Sequence, residues 1–89
     1  MRRDDEFFSG QELVLVYIAK KLREAKKVEE LLDNVGLDYL VEPDRYRGGV
    51  LFVRELMGAF FYLSDAQVDQ GRTVLTAAGY KPYEAENPQ

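Results

Sequence analysis

The chain has 89 residues, 46% hydrophobic and 31% charged, with a formal net charge of −4, enough for one domain around a single thin core. Cysteine and histidine are both absent, which excludes disulfides, thiolate nucleophiles, the common zinc sites and histidine acid–base chemistry. The acidic balance argues against a nonspecific nucleic-acid binder, since phosphate binding needs a basic face, and no apolar run reaches the about 18 residues of a membrane span.

Residues 1–10 read as an N-terminal tail, charged at first, with Phe7 and Phe8 tucked against the domain edge. No apolar stretch of signal-peptide length follows, so a cytoplasmic protein is the expectation. Residues 11–84 form the single domain, and 85–89 form a polar C-terminal tail. Within the domain, Leu13 to Ile18 is unbroken apolar and rich in β-branched residues, which suits a central strand. From about residue 20 to 35, Leu22, Ala25, Val28, Leu32 and Val35 recur at helical spacing, and Gly36 stops the helix. Leu37, Tyr39 and Val41 then alternate with Asp38, Leu40 and Glu42 as a half-buried strand that Pro43 ends.

The segment Pro43 to Gly49 has no periodicity and reads as a loop. Val50 to Glu55 and Ala59 to Leu63 read as two strands joined by a turn at Leu56-Met57-Gly58. Ser64-Asp65-Ala66-Gln67 fits a capping box, opening a second helix that turns Val68, Gly71, Leu75 and Ala78 inward. Gly79 follows, and Tyr80 to Tyr83 reads as a short edge strand in which Pro82 is tolerable.

The two halves repeat one plan, an apolar strand, a helix, a glycine after an apolar pair, and an aromatic-bearing extended segment. The order is β-α-β-β-β-α-β. It predicts an α+β fold, a ferredoxin-like split β-α-β sandwich with an antiparallel-containing sheet and two helices on one face. The second face then lies open. Alternation divides the aromatics between the faces, and Tyr39, Phe52, Phe60 and Tyr62 are the candidates for a self-association interface.

Charge suggests one other site. Lys20, Lys21, Arg23, Lys26 and Lys27 crowd the first half of the first helix, against the preference of the helix dipole. An anion at the helix start would offset this, with Lys20 and Arg23 as its ligands; pairs such as Lys20–Glu24 and Lys26–Glu30 are the plainer account. The loop residues Arg45, Tyr46, Arg47, Gly48 and Gly49 could close over the same anion, because arginine grips phosphate through paired hydrogen bonds. They lack phosphate-loop spacing.

An RNA-recognition reading fails because Gly49 and Leu51 stand where stacking aromatics belong. Glu42, Asp44, Glu55 and Asp65 offer carboxylates, yet nothing in their spacing fixes a pair for acid–base work or a hard-metal cage. No enzyme activity, metal or cofactor is therefore expected.

Tyr17-Ile18-Ala19, the helix end Leu31-Leu32 with Gly36 after three intervening residues, and Leu37-Asp38-Tyr39 resemble small prokaryotic signal-transducing domains related to the nitrogen-regulatory PII proteins. The resemblance spans roughly residues 13–80. It implies a ferredoxin-like fold and a regulatory, ligand-sensing role without catalysis, with Pro43 to Gly49 where those proteins carry a ligand-responsive loop. The combined expectation is a non-catalytic sensing or protein-interaction domain that forms homo-oligomers and binds a small anion or a protein partner. The alternatives are a purely structural self-association module and a weak nucleic-acid binder.

Overall fold

A computed structural model describes residues 1–48 and 54–84. The apolar run forms β1, Leu13–Ala19. Helix α1, Leu22–Asn34, buries Ala25, Val28 and Leu32 at helical spacing. Leu22 was expected to face inward but is 75% exposed, whereas Ala25, one turn on, is buried. At the far end Gly36 adopts φ 75°, and the Leu37 amide donates to the Leu32 carbonyl at 3.1 Å. Gly79, at φ 90°, ends the second helix in the same way, with the Tyr80 amide on the Leu75 carbonyl at 2.9 Å. Only glycine adopts this left-handed turn without strain.

Two strands run longer than the sequence pattern predicts. Strand β2, Leu40–Gly48, continues through Pro43, and β3, Arg54–Ser64, continues through Leu56-Met57-Gly58. They pair without a break from Leu40 opposite Tyr62 to Gly48 opposite Arg54. The expected 43–49 loop is therefore strand as far as Gly48, and the expected 56–58 turn lies mid-strand. The strand order is β1-β3-β2, so β2 is an edge and its proline need not donate to a further neighbour. Gly49 and the expected strand at Val50 to Val53, Phe52 included, lie outside the described residues.

β3 is antiparallel to both neighbours, so β1 and β2 run in one direction on either side of it. The fold is α+β, with a three-stranded antiparallel sheet and two helices. Helix α2, Val68–Ala77, follows one 3-10 turn, Asp65–Gln67. The expected capping box does not form: Ser64 makes no side-chain cap bond, and the chain is instead fixed by the Asp65 amide on the Glu12 carbonyl at 3.0 Å. Both helices contribute to one core, with Val28 and Leu32 from α1 and Val68 and Leu75 from α2 packed with Val16, Tyr39, Phe61 and Leu63. Ala78, expected to face inward, is exposed because α2 already ends at Ala77. A register shift between Leu15 and Tyr17 leaves Val16 as an extra residue in β1. Val16 and Tyr17 consequently both join the helix-side core.

Three further expectations are corrected. Residues 1–10 are no tail: Arg2 bridges to Tyr39, the Arg3 amide donates to the Tyr39 carbonyl at 2.8 Å, and Asp4 caps a 3-10 turn at Asp5–Phe8. Phe8 is 3% exposed, whereas Phe7 is 44% exposed and lies under the Arg3 guanidinium. Tyr80 to Tyr83 does not form a strand; its one backbone bond to β1 runs from the Tyr83 amide to the Val16 carbonyl at 2.7 Å, and Pro82 lacks the donor that would extend the ladder.

The third correction concerns the open face. Tyr39 precedes β2 and turns into the helix-side core, where its hydroxyl donates to Asp33 at 3.0 Å. Phe60 does lie on the opposite face but is buried, as are Leu40 and Phe8 outside the helix-side cluster. Tyr62 is half-buried. The broad aromatic surface expected there is largely interior.

Candidate anion groove

β1 ends at Ala19, opposite Ala59. Beyond that point β2 and β3 continue as a two-stranded ribbon, from Asp44 opposite Gly58 to Gly48 opposite Arg54. Two-stranded ribbons twist strongly, and no third strand separates their two faces, so side chains from either face can reach the space beside β1. Arg45, Tyr46 and Arg47, consecutive on β2, all line one groove there.

The groove has a volume of ≈ 780 Å³. Leu15, Ile18 and Phe60 give it an apolar base, Lys20 and Glu24 stand at the start of α1, and Lys81 to Glu84 form the wall beyond β1. Its cations are Lys20, Arg45, Arg47 and Lys81, against the acids Glu24 and Glu84. The lining is thus net positive in a chain of net charge −4.

Tyr46 owes its place to Gly58. A Cβ at Gly58 would lie 3.1 Å from the Tyr46 ring and 3.1 Å from Ile18, so glycine leaves the space in which the ring packs. The Lys20 ammonium then sits 5.4 Å from the ring centroid, within cation–π range. Arg45 is partly engaged, donating to Glu55 at 3.1 Å, but this pair is exposed and weakly held. Among the described residues no carboxylate pairs with Lys20, Arg47 or Lys81.

The start of α1 behaves differently from the charge-based expectation. Glu24, in the first turn, accepts from the Lys20 amide at 3.4 Å. The chain's own carboxylate thus serves one exposed amide just before the helix. Burial and Glu24 together push the Tyr17 phenol up to about 12, so it stays protonated beside the groove. Burial also raises Tyr62, with Glu42 and Asp44 adding to the effect.

Of the ligand residues expected from sequence, Lys20, Arg45, Tyr46 and Arg47 come together in the groove. Arg23 is exposed on α1 and does not line it. Gly48 does not line it either: it packs under Leu56. Gly49 lies outside the described residues. Sequence reasoning missed the groove role of Lys81 to Glu84. The available signal was the expected placement of Tyr80 to Tyr83 in the sheet, which brings the adjoining lysine alongside β1. The carboxylates considered for chemistry stay apart in function: the Arg45 amide donates to Asp44 at 2.7 Å and Glu55 holds the Arg45 side chain. Among the described residues no cluster of acidic groups could hold a metal ion, and no helix is long and apolar enough to cross a membrane.

Fold and groove together define a small α+β domain with a basic-rimmed depression beside β1. No protein-family model, curated protein or solved structure matches the chain.

Proposed function

We propose that this chain is a non-catalytic, regulatory binding domain of ferredoxin-like arrangement that takes a small anion in the groove between the start of α1, the distal part of β2 and the Lys81–Glu84 segment. The arrangement is supported by the order β1-β3-β2 and by the lie of Tyr83 beside β1, where a fourth strand would belong. One observation carries the binding reading: Lys20, Arg45, Arg47 and Lys81 converge on one depression of an acidic protein. Cations gathered against the net charge attract a compact anion, and guanidinium groups hold it through charge-assisted hydrogen bonds.

Isothermal titration against phosphate, pyrophosphate and a nucleotide panel tests this. The expected result is measurable heat with at least one anion, lost in Arg47→Ala. Silence across the panel would reject the reading in favour of a structural interaction module.

Self-association is a second reading, favoured by the outer edge of β1, which receives one backbone bond from the described residues. Unpaired strand edges invite a further strand. Sedimentation showing only monomer at high micromolar concentration would reject it.

A further inference from the structure

The lining of the groove has two chemistries in two places. Leu15, Ile18 and Phe60 lie at consecutive cross-strand positions on the sheet face away from the helix-side core: Leu15 stands opposite Tyr62, and Ile18 opposite Phe60. They are half-buried or buried, and Pro82 and the Tyr83 ring, 40% exposed, flank them. The cations stand at the margin instead. Lys20, Arg45, Arg47 and Lys81 are all exposed. A bare inorganic anion would meet the marginal charges and leave the apolar base wet, gaining nothing from it.

We infer that the groove recognises an amphipathic organic anion, an aromatic or alicyclic body bearing one carboxylate, sulfonate or similar group. The body lies on Leu15, Ile18 and Phe60 between the Tyr46 and Tyr83 rings, and its anionic group faces Arg47 and Lys81. This deepens the anion-binding reading and rests on it. Two observations support the class. The volume of ≈ 780 Å³ falls within the range of about 300–1,000 Å³ typical of small organic ligands. The base is apolar while the cations Lys20, Arg45, Arg47 and Lys81 stand exposed around it, which matches a molecule with an apolar body and a charged group. The ligand is a free molecule rather than a membrane surface, because the base is a concavity walled by Lys81 to Glu84, and a planar bilayer could reach only its margin.

The probes are 8-anilinonaphthalene-1-sulfonate, its neutral counterpart N-phenyl-1-naphthylamine, pyrophosphate, and anionic phosphatidylglycerol vesicles. Fluorescence titration follows the two naphthyl probes, calorimetry follows pyrophosphate, and co-sedimentation follows the vesicles. The expected result is saturable one-to-one binding of the sulfonate, at least tenfold tighter than both the neutral probe and pyrophosphate, with no co-sedimentation. Arg47→Ala should weaken the sulfonate about tenfold, as expected for one charge-assisted contact, and leave the neutral probe unchanged. Tyr83→Ala should weaken both naphthyl probes. Both side chains are exposed, and unchanged circular dichroism confirms that the variants fold. Pyrophosphate binding as tightly as the sulfonate would overturn this inference while leaving an anion site intact. Absence of binding by either anion would overturn both readings. Equal binding of the neutral probe, insensitive to Arg47→Ala, would overturn the inference by reducing the groove to an apolar surface, and co-sedimentation abolished by Arg47→Ala would replace the free ligand with a lipid surface.

Discussion

Gly71 sits in the middle of α2 and is buried, and its replacement by alanine sets two known effects against each other. Alanine favours the helix by about 1 kcal/mol over glycine at an interior position. Against this, an added Cβ would lie 2.1 Å from Cδ1 of Leu63, which must retreat by about 1.3 Å to reach ordinary contact at 3.4 Å. The next nearest atoms, Cγ of Leu63 at 3.6 Å and Cδ1 of Leu37 at 4.0 Å, are already at contact distance. A single methyl therefore bears the overlap. Leu63 is fully buried, so the methyl has no solvent to move into, and overpacking of this kind costs about 1–3 kcal/mol.

The balance is a loss of about 1 kcal/mol for Gly71→Ala, the overpacking cost less the helix gain. For a domain of this size that corresponds to a fall in Tm of about 4–8 °C. Urea unfolding should show a lower midpoint at unchanged slope. The pairing with Leu63 supplies a sharper check. Leu63→Val removes the offending methyl at a cost of its own of about 1 kcal/mol, and in that background Gly71→Ala should become stabilising. Neighbours in contact are expected to couple in this way. A stabilising Gly71→Ala in the native background, or an identical loss in both backgrounds, would refute the account.

Phe8→Ala should destabilise by about 3 kcal/mol or more, the usual cost of deleting a buried aromatic, while Phe7→Ala, at 44% exposure, should cost less than about 1 kcal/mol by thermal unfolding; equal small effects would return residues 1–10 to the status of a tail. Gly58→Ala should displace the Tyr46 ring, which the new Cβ would meet at 3.1 Å, and lower stability by about 1 kcal/mol; unchanged ring resonances for Tyr46 would count against the packing described. Alkaline pH should unfold the protein through its phenols. Tyr17, Tyr39 and Tyr62 are all raised by burial first, then by neighbouring carboxylates, so the folded state keeps protons that unfolded tyrosines release near 10. Stability is then fully present below about pH 10 and falls as pH rises through the Tyr17 value of about 12. Stability to urea that is unchanged between about pH 9 and about pH 12 would contradict this.

Helices and their ends were legible because they depend on local chemistry. The stripe of Ala25, Val28 and Leu32 and the stop at Gly36 are written within a few residues of each other, and the structure shows both. The hairpin was misread because Pro43 and Gly58 look like breakers in isolation. Whether a proline ends a strand depends on the strand's place in the sheet, and β2 lies at an edge. Gly58 looks like a turn residue, yet its role is to leave room for the Tyr46 ring, a contact that becomes visible only once β2 and β3 are in register. Tyr39 was placed on the wrong side for a related reason, since it lies before the strand begins and alternation does not govern it. The groove was half legible. Lys20 and the Arg45–Arg47 cluster announced positive charge, while the wall from Lys81 to Glu84 arises from a late return of the chain to β1 that no short motif encodes.

The two margins of the sheet are defended unequally. Along β2 the sequence Glu42-Pro43-Asp44-Arg45 offers a would-be intruder charge and a missing donor. Along β1 the run Leu13–Ala19 is wholly hydrophobic apart from the Tyr17 hydroxyl, and a short proline-bearing strap, fastened by the Tyr83 amide, shields it. Trimming the chain after Gly79, or straining the strap with a bulky C-terminal fusion, would uncover a greasy strand edge whose protection against further pairing would then rest on the irregularity at Val16 alone, so affinity tags belong at the opposite terminus only if Arg2 and Arg3 keep their hold on Tyr39 and Asp38.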